Sequence, residues 1–248
     1  DPVYLVQHIS RQKDVQGIKE LVSGMANLMV QWVNSGMRAQ QVSQILTAIS
    51  DAITVRLIQL AERKLGAAPE PWCWAGFGSQ ARGEQLLGAD QDNGIIISND
   101  AQPEHLPWYA QLAEMVCYGL DECGYVYCPG GIMAKTDEWR QPLEIWQQAV
   151  RRWASAPTPD AVMRVSIFFD IRCIYGASHL SDELQKTMLT QASNNSIFLA
   201  ALAANALEDA AKNPGGMAAG GMGMGMGFAM ANQMGQAMSH PPQQQPPA

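Results

Sequence analysis

The sequence predicts an α+β fold, mostly helical, with a small mixed sheet at its centre. Three patterns predict it. Apolar residues recur at three- and four-residue spacing over long stretches toward both ends, as on helices with one buried stripe. A glycine-punctuated strand–turn–helix pattern occupies residues 72–87. A β-branched run, Ile95-Ile96-Ile97, follows two acids spaced two apart and suits a buried strand. With 248 residues the chain can bury a sizeable core, and 47% hydrophobic against 16% charged residues fits a globular protein. A net charge of −7 and a pI of about 5.0 argue against a general nucleic-acid binder, which would carry a basic face.

Residues 1–66 read as a helical hairpin or bundle. Ile18, Leu21, Val22, Met25, Leu28, Met29 and Val33 mark one helix, broken at Ser35-Gly36. Val42, Ile45, Leu46, Ile49, Ile53, Leu57 and Leu60 mark a second, longer one. Packing on the rest of the fold is the expectation, with a coiled-coil arm joining two copies into a homodimer as the alternative. Gly66 and the Pro-rich stretch after it end that helix and lead into a strand at Trp72.

Residues 67–180 form the expected central unit. A helix runs from Ser79 to Leu87, and a strand carries Asp90, Asp92 and Ile95–Ile97. Residues 104–122 form another helix, and residues 124–135 a turn into a short strand. Trp139, Leu143, Trp146, Val150 and Trp153 make an aromatic stripe read as core rather than a base-stacking platform. Val162 to Tyr175 reads as a β-prone strand with Asp170 in its middle. A carboxylate there needs a salt bridge, for which Arg172 is the neighbour on the same face, or a metal. Residues 181–212 read as a C-terminal helical segment. Residues 213–248, rich in Gly, Met, Pro and Gln, read as a disordered tail, and their methionines as a linker rather than a copper site.

The chemistry concentrates at residues 76–98. Asp90 and Asp92, two apart on a strand, would project to one face, where unpaired they repel unless a cation sits between them. Oxygen-only ligation of this kind suits Mg²⁺, shared with substrate phosphates. Gly76 and Gly78 would let the backbone approach a ligand, and Ser79 stands where a helix would begin and a phosphate could bind.

Gly78-Ser79 followed by Asp90-x-Asp92 resembles the signature of the DNA polymerase beta-type nucleotidyltransferase superfamily. With Arg82, Glu84, Gln85 and Asn93 it is similar to a narrower group, bacterial nucleotidyltransferases related to PII-protein uridylyltransferase and often found downstream of cyclic-nucleotide-binding and CBS domains. The resemblance runs from about residue 10 to about residue 208. It implies a polymerase beta-type core that transfers a nucleoside monophosphate from an NTP, UTP or ATP, to an acceptor, a protein in the PII case, in signalling. Asp90, Asp92 and Asp170 would be the catalytic metal ligands, holding two Mg²⁺ or Mn²⁺ ions, with Asp170 on a neighbouring strand. Gly78, Ser79, Arg82, Glu84 and Asn93 would serve the nucleotide, Glu84 by pairing with Arg82 and Asn93 from behind the ligands. The family's Gly-Asp after the Asp170 strand is Gly176-Ala177 here.

The competing readings are a nucleotide-sensing module that has lost turnover and an interaction scaffold. Five cysteines without a C-x-x-C pair predict reduced cytoplasmic thiols, and Cys117, Cys123 and Cys128 are too poorly spaced for zinc. No apolar run approaches a membrane span and there is no signal peptide. A start at Asp1 rather than Met reads as a fragment whose upstream domains are absent.

Overall fold

A computed structural model describes residues 2–156, 158–196, 198–200 and 203. The predicted tail, 213–248, lies outside the described residues, as do residues 204–212 of the predicted C-terminal helical segment. The N-terminal part is helical but not a two-helix hairpin. It comprises α1 (Pro2–Arg11), α2 (Val15–Val22), α3 (Met25–Asn34) and α4 (Ala39–Leu65). The predicted helix through Ile18 and Val33 is divided at Ser23-Gly24, where the Ser23 N–H closes α2 on Lys19 O and Gly24 opens α3. Asp14 starts α2 by accepting the Gly17 N–H at 2.8 Å, an N-cap of the usual chemistry.

The longest helix, α4, spans 27 residues. Contrary to the sequence expectation, it is apolar and long enough by composition to cross a membrane. It packs instead as a core helix, with 56% of its most apolar window buried inside the fold. Ile49, Ile53 and Ile58 are fully buried along it, and the polar Ser43, Thr47, Ser50, Thr54 and Arg56 are buried as well. Thr47 and Thr54 satisfy their hydroxyls on carbonyls one turn back, and the Arg56 Nε–H reaches Gln12 O.

The sheet has the order β3-β2-β1-β4. β1 (Trp72–Phe77) lies between β2 (Asn93–Ile97) and β4 (Ile171–Gly176) and is antiparallel to both, while β3 (Arg140–Pro142) joins β2 in parallel. Every residue of β1 and β2 is buried, as the continuous apolar runs imply. Gly176 ends β4 with φ +97°, and a side chain there would strike the Trp72 carbonyl. Around the sheet lie α5 (Gly78–Arg82), α6 (Leu106–Glu122), α7 (Leu143–Ser155), α8 (Pro159–Phe169) and α9 (Ser178–Asn194). One hydrophobic cluster runs from Leu5 to Met188, so the N-terminal helices share a core with the sheet.

Several predicted elements of the central unit differ. Residues 124–135 form a hydrogen-bonded loop with no strand, and the short edge strand is β3 instead. Val162–Phe169 is not strand but the body of α8. Thr158 caps it by accepting the Ala161 N–H, Pro159 sits at the first position, and Ala161, Val162, Val165 and Phe168 form its buried face. The chain turns extended at Asp170, and the strand begins at Ile171. The helix predicted from Ser79 to Leu87 stops at Arg82, where Gly83 adopts φ +76°.

The aromatic stripe is core. Trp139 and Trp146 are almost wholly buried, and with Phe77 they surround Phe168, which stacks on Trp139 at 4.9 Å and 14°. This cluster anchors the end of α8 two residues before Asp170.

Candidate functional site

The C-terminal end of β1 is where the predicted residues converge. Because β2 and β4 both run antiparallel to β1, the residues just before each of them lie beside the residues just after it. The Phe77 N–H donates to Asp92 O at 3.0 Å, and the Gly78 N–H donates to Asp170 O at 3.1 Å. The turn into α5, Asp92 and Asp170 therefore share one end of the sheet, with the two acids on opposite flanks of β1.

At the turn, Gly78 has φ +53°, which a side chain would strain. Gly76 serves packing instead: a Cβ there would sit 3.0 Å from Gln80 Oε1 and 3.3 Å from Ile174. The Ser79 hydroxyl donates to Gln85 Oε1 at 2.9 Å, which folds the segment after α5 back over the turn. Polar residues of α4 hold this segment from behind. Thr47 Oγ1 accepts the Gln85 N–H at 3.0 Å, and Asp51 Oδ1 accepts from the Gln80 amide at 3.2 Å.

Asp170 does not pair with Arg172, as its position on a shared strand face had suggested. It is the C-cap of α8, outside β4, and its carboxylate accepts Arg82 Nη1–H at 2.6 Å. The Nε–H of Arg82 goes to Glu84 at 2.9 Å, the partner predicted for it. Burial alone would lower the pKa of Arg82, but the bonds to Asp170 and Glu84 outweigh it and hold the guanidinium above its usual value. Arg172 turns to α4, bridging Asp51 at 2.9 Å and Gln80 O at 2.9 Å.

On the other flank, Asp90 and Asp92 precede β2 rather than lying in it. The backbone of this segment bonds to the 126–132 loop: the Gln91 N–H donates to Val126 O and the Asn93 N–H to Ile132 O. The alternation of side chains nevertheless holds. Gln91 is buried and its amide donates to Cys117 O and Tyr125 O, while Asp90 is exposed and Asp92 half-buried. Asn93 points inward, 2% exposed, where its Oδ1 accepts the Ala134 N–H at 2.9 Å. It shapes the loop behind the acids and has no exposed surface to offer a nucleotide.

That loop brings in Cys128, which the sequence reading weighs only with Cys117 and Cys123 as a zinc set and puts aside. Donor atoms of Asp90, Asp92 and Cys128 all lie within 4.8 Å of one another, a group able to hold a metal ion. Among the described residues no Lys or Arg forms an ion pair with either acid. Burial pushes the Asp92 carboxyl up from 3.8 to about 6; a hydrogen bond from Cys128 opposes the shift and the Asp90 charge adds to it. Burial, reinforced by the charge of Asp92, holds the Cys128 thiol above its usual value. Two adjacent carboxylates without a protein cation fit a divalent ion. Asp170 lies outside this group. No local signal placed Cys128 beside the acids, since its position depends on loop bonds to residues more than thirty places earlier.

A family model described as "Putative nucleotidyltransferase DUF294" matches residues 23–160. No curated protein matches the chain. The matched stretch is shorter at both ends than the resemblance suggested. It includes Gly78, Ser79, Arg82, Glu84, Asp90, Asp92 and Asn93 and stops ten residues before Asp170. As the match covers more than half of the sequence, the chain belongs to this nucleotidyltransferase family.

Proposed function

We propose that the chain transfers a nucleoside monophosphate from UTP or ATP to a hydroxyl acceptor and releases pyrophosphate. The observation that carries this reading is the meeting of the Gly78-Ser79 turn with Asp92 and Asp170 at one end of the sheet, through hydrogen bonds from consecutive residues of β1 and its turn. A triphosphate would lie against the turn with nearby backbone N–H groups facing its terminal phosphates, and the Ser79 hydroxyl would exchange Gln85 Oε1 for a phosphate oxygen. Asp90 and Asp92 would hold a divalent cation, Mg²⁺ or Mn²⁺, which when bound neutralises phosphate charge and polarises the bond to be broken.

Arg82 is the residue best placed to exchange partners. An incoming phosphate competes with Asp170 for its guanidinium, and Glu84 keeps the guanidinium near the turn during the exchange. Release of Asp170 would free a carboxylate to accept the acceptor's proton or to hold a second ion. The acceptor oxygen then attacks the α-phosphorus, and the bond to the pyrophosphate oxygen breaks. Resemblance to PII uridylyltransferases makes a protein hydroxyl the acceptor to try first.

One observation favours the sensing reading. In the protein alone, Asp170 is already neutralised by Arg82 and stands apart from the Asp90–Asp92 group. A module fixed in that state would bind a nucleotide without turning it over.

Transfer of label from α-labelled ATP and UTP, in Mg²⁺ and with candidate acceptor proteins, tests both readings. Metal-dependent transfer that falls about 10²–10³-fold in Asp92→Ala supports the enzyme. Metal-dependent nucleotide binding without transfer to any acceptor supports the sensor. Absence of nucleotide binding by the folded native chain rejects both.

A further inference from the structure

We propose that Cys128 is a sulfur donor to the cation held by Asp90 and Asp92, so that this site takes Zn²⁺ or Co²⁺ in preference to Mg²⁺. The proposal rests on the carboxylate pair being a cation site, and its test does not require turnover.

The sulfur is built into place. Residues 126–134 are fixed to the acid-bearing segment by three bonds, from Gln91 N to Val126 O, from Asn93 N to Ile132 O and from Ala134 N to Asn93 Oδ1. Thr136 ties the same loop at Gly131 O. Cys128, only 8% exposed, is thereby held with its Sγ within 4.8 Å of carboxylate oxygens of both Asp90 and Asp92. None of the other cysteines joins such a group among the described residues.

Donor chemistry then decides the ion. Mg²⁺ prefers hard oxygen ligands and gains little from sulfur. Thiolate selects softer or borderline ions, and with two carboxylates it makes a three-donor set that leaves a tetrahedral ion one open position. As the metal–sulfur bond forms, the thiol proton passes to solvent, and nothing is oxidised or reduced. Such an ion would compete with Mg²⁺ for the same carboxylates.

Co²⁺ titration of the full chain reads the sulfur directly. Bound Co²⁺ should give a thiolate-to-cobalt charge-transfer band in the near ultraviolet. The band should be lost in Cys128→Ser and retained in Cys73→Ser, Cys117→Ser, Cys123→Ser and Cys173→Ser. Altering a group that only supports a metal ligand already costs about 10–100-fold in affinity, so loss of this donor should weaken Zn²⁺ binding by about 100-fold and Mg²⁺ binding far less. Asp90 is exposed, so Asp90→Asn should fold normally and weaken Co²⁺ binding together with the band, which keeps the test decisive if Cys128→Ser fails to fold. A wild-type chain with no band, a band that survives Cys128→Ser, or a band indifferent to Asp90→Asn overturns the proposal. Absence of nucleotidyl transfer with the band intact would reject the proposed reaction and leave this site standing.

Discussion

On the β4 flank of the first strand, Asp170 is neutralised by the protein itself. Arg82 reaches it at 2.6 Å, Glu84 steadies Arg82, and the aromatic cluster around Phe168 fixes the helix end that carries it. On the β2 flank, Asp90 and Asp92 stand side by side with no Lys or Arg in ion-pair reach among the described residues. The flanks are related by the same antiparallel geometry and differ in who supplies the positive charge. A fold that pairs one half-buried acid with its own arginine and leaves the adjacent pair without one is consistent with the proposed place for a cation from outside. On the unpaired flank burial raises the Asp92 carboxyl, a cost to the folded chain that fits the cation site proposed above.

Removing the packing beneath the β4 flank should have the largest effect on stability. Phe168→Ala deletes a fully buried ring contacting Phe77, Trp139 and Trp146, and should cost about 3–5 kcal/mol in denaturant unfolding. If Asp170 is held by this cluster while the β2 flank is held by its own loop, affinity for Mn²⁺ should change little in the fraction that remains folded.

Arg82→Met tests the pairing on the β4 flank and should be milder. It strands Asp170 and Glu84, but these side chains are about one-fifth exposed, so the loss should be about 1–3 kcal/mol rather than that of a fully buried pair.

The unpaired flank should respond in the opposite sense. The Asp92 carboxyl is raised to about 6, so the folded chain holds a proton that the unfolded chain releases near 3.8. Stability of the metal-free protein should therefore fall as pH rises through this window and level off above it. Asp92→Asn removes the penalty. It should stabilise the metal-free chain by about 1–2 kcal/mol at pH 8, with the gain vanishing toward pH 4. Thermal unfolding across pH in the presence of a chelator measures it. Stabilisation by a substitution that abolishes cation binding would make the trade between folding and function explicit.

Much of the fold was legible in the sequence, because it follows from local pattern. The contrast between the flanks was not, since the sequence reading makes all three acids ligands of one metal centre. Period-3.6 stripes gave α4 and α6, and Trp72–Phe77 and Ile95–Ile97 read as buried strands. The Arg82–Glu84 pair came with the family resemblance and is present in the fold. The misread elements are those in which local signals conflicted. Val162–Phe169 is rich in β-formers, but Thr158-Pro159-Asp160 is a helix start and the buried positions fall at helical spacing. The alternation of Asp90 and Asp92 was right, although their backbone pairs with a loop and the strand begins only at Asn93.

Long-range pairing was not legible at all. Arg172 finds Asp51 across 121 positions, which took it from Asp170 and left that acid to Arg82. Cys128 joins the acids only because three backbone groups of residues 91–93 and 134 close a loop around it.

Mn²⁺ binding, followed by electron paramagnetic resonance, tests the difference between the flanks most directly. The free-ion signal should be depleted by the wild-type chain and by Asp170→Asn, and should remain undepleted with Asp92→Ala. Retained binding in Asp92→Ala with loss in Asp170→Asn would place the cation on the β4 flank and contradict the account.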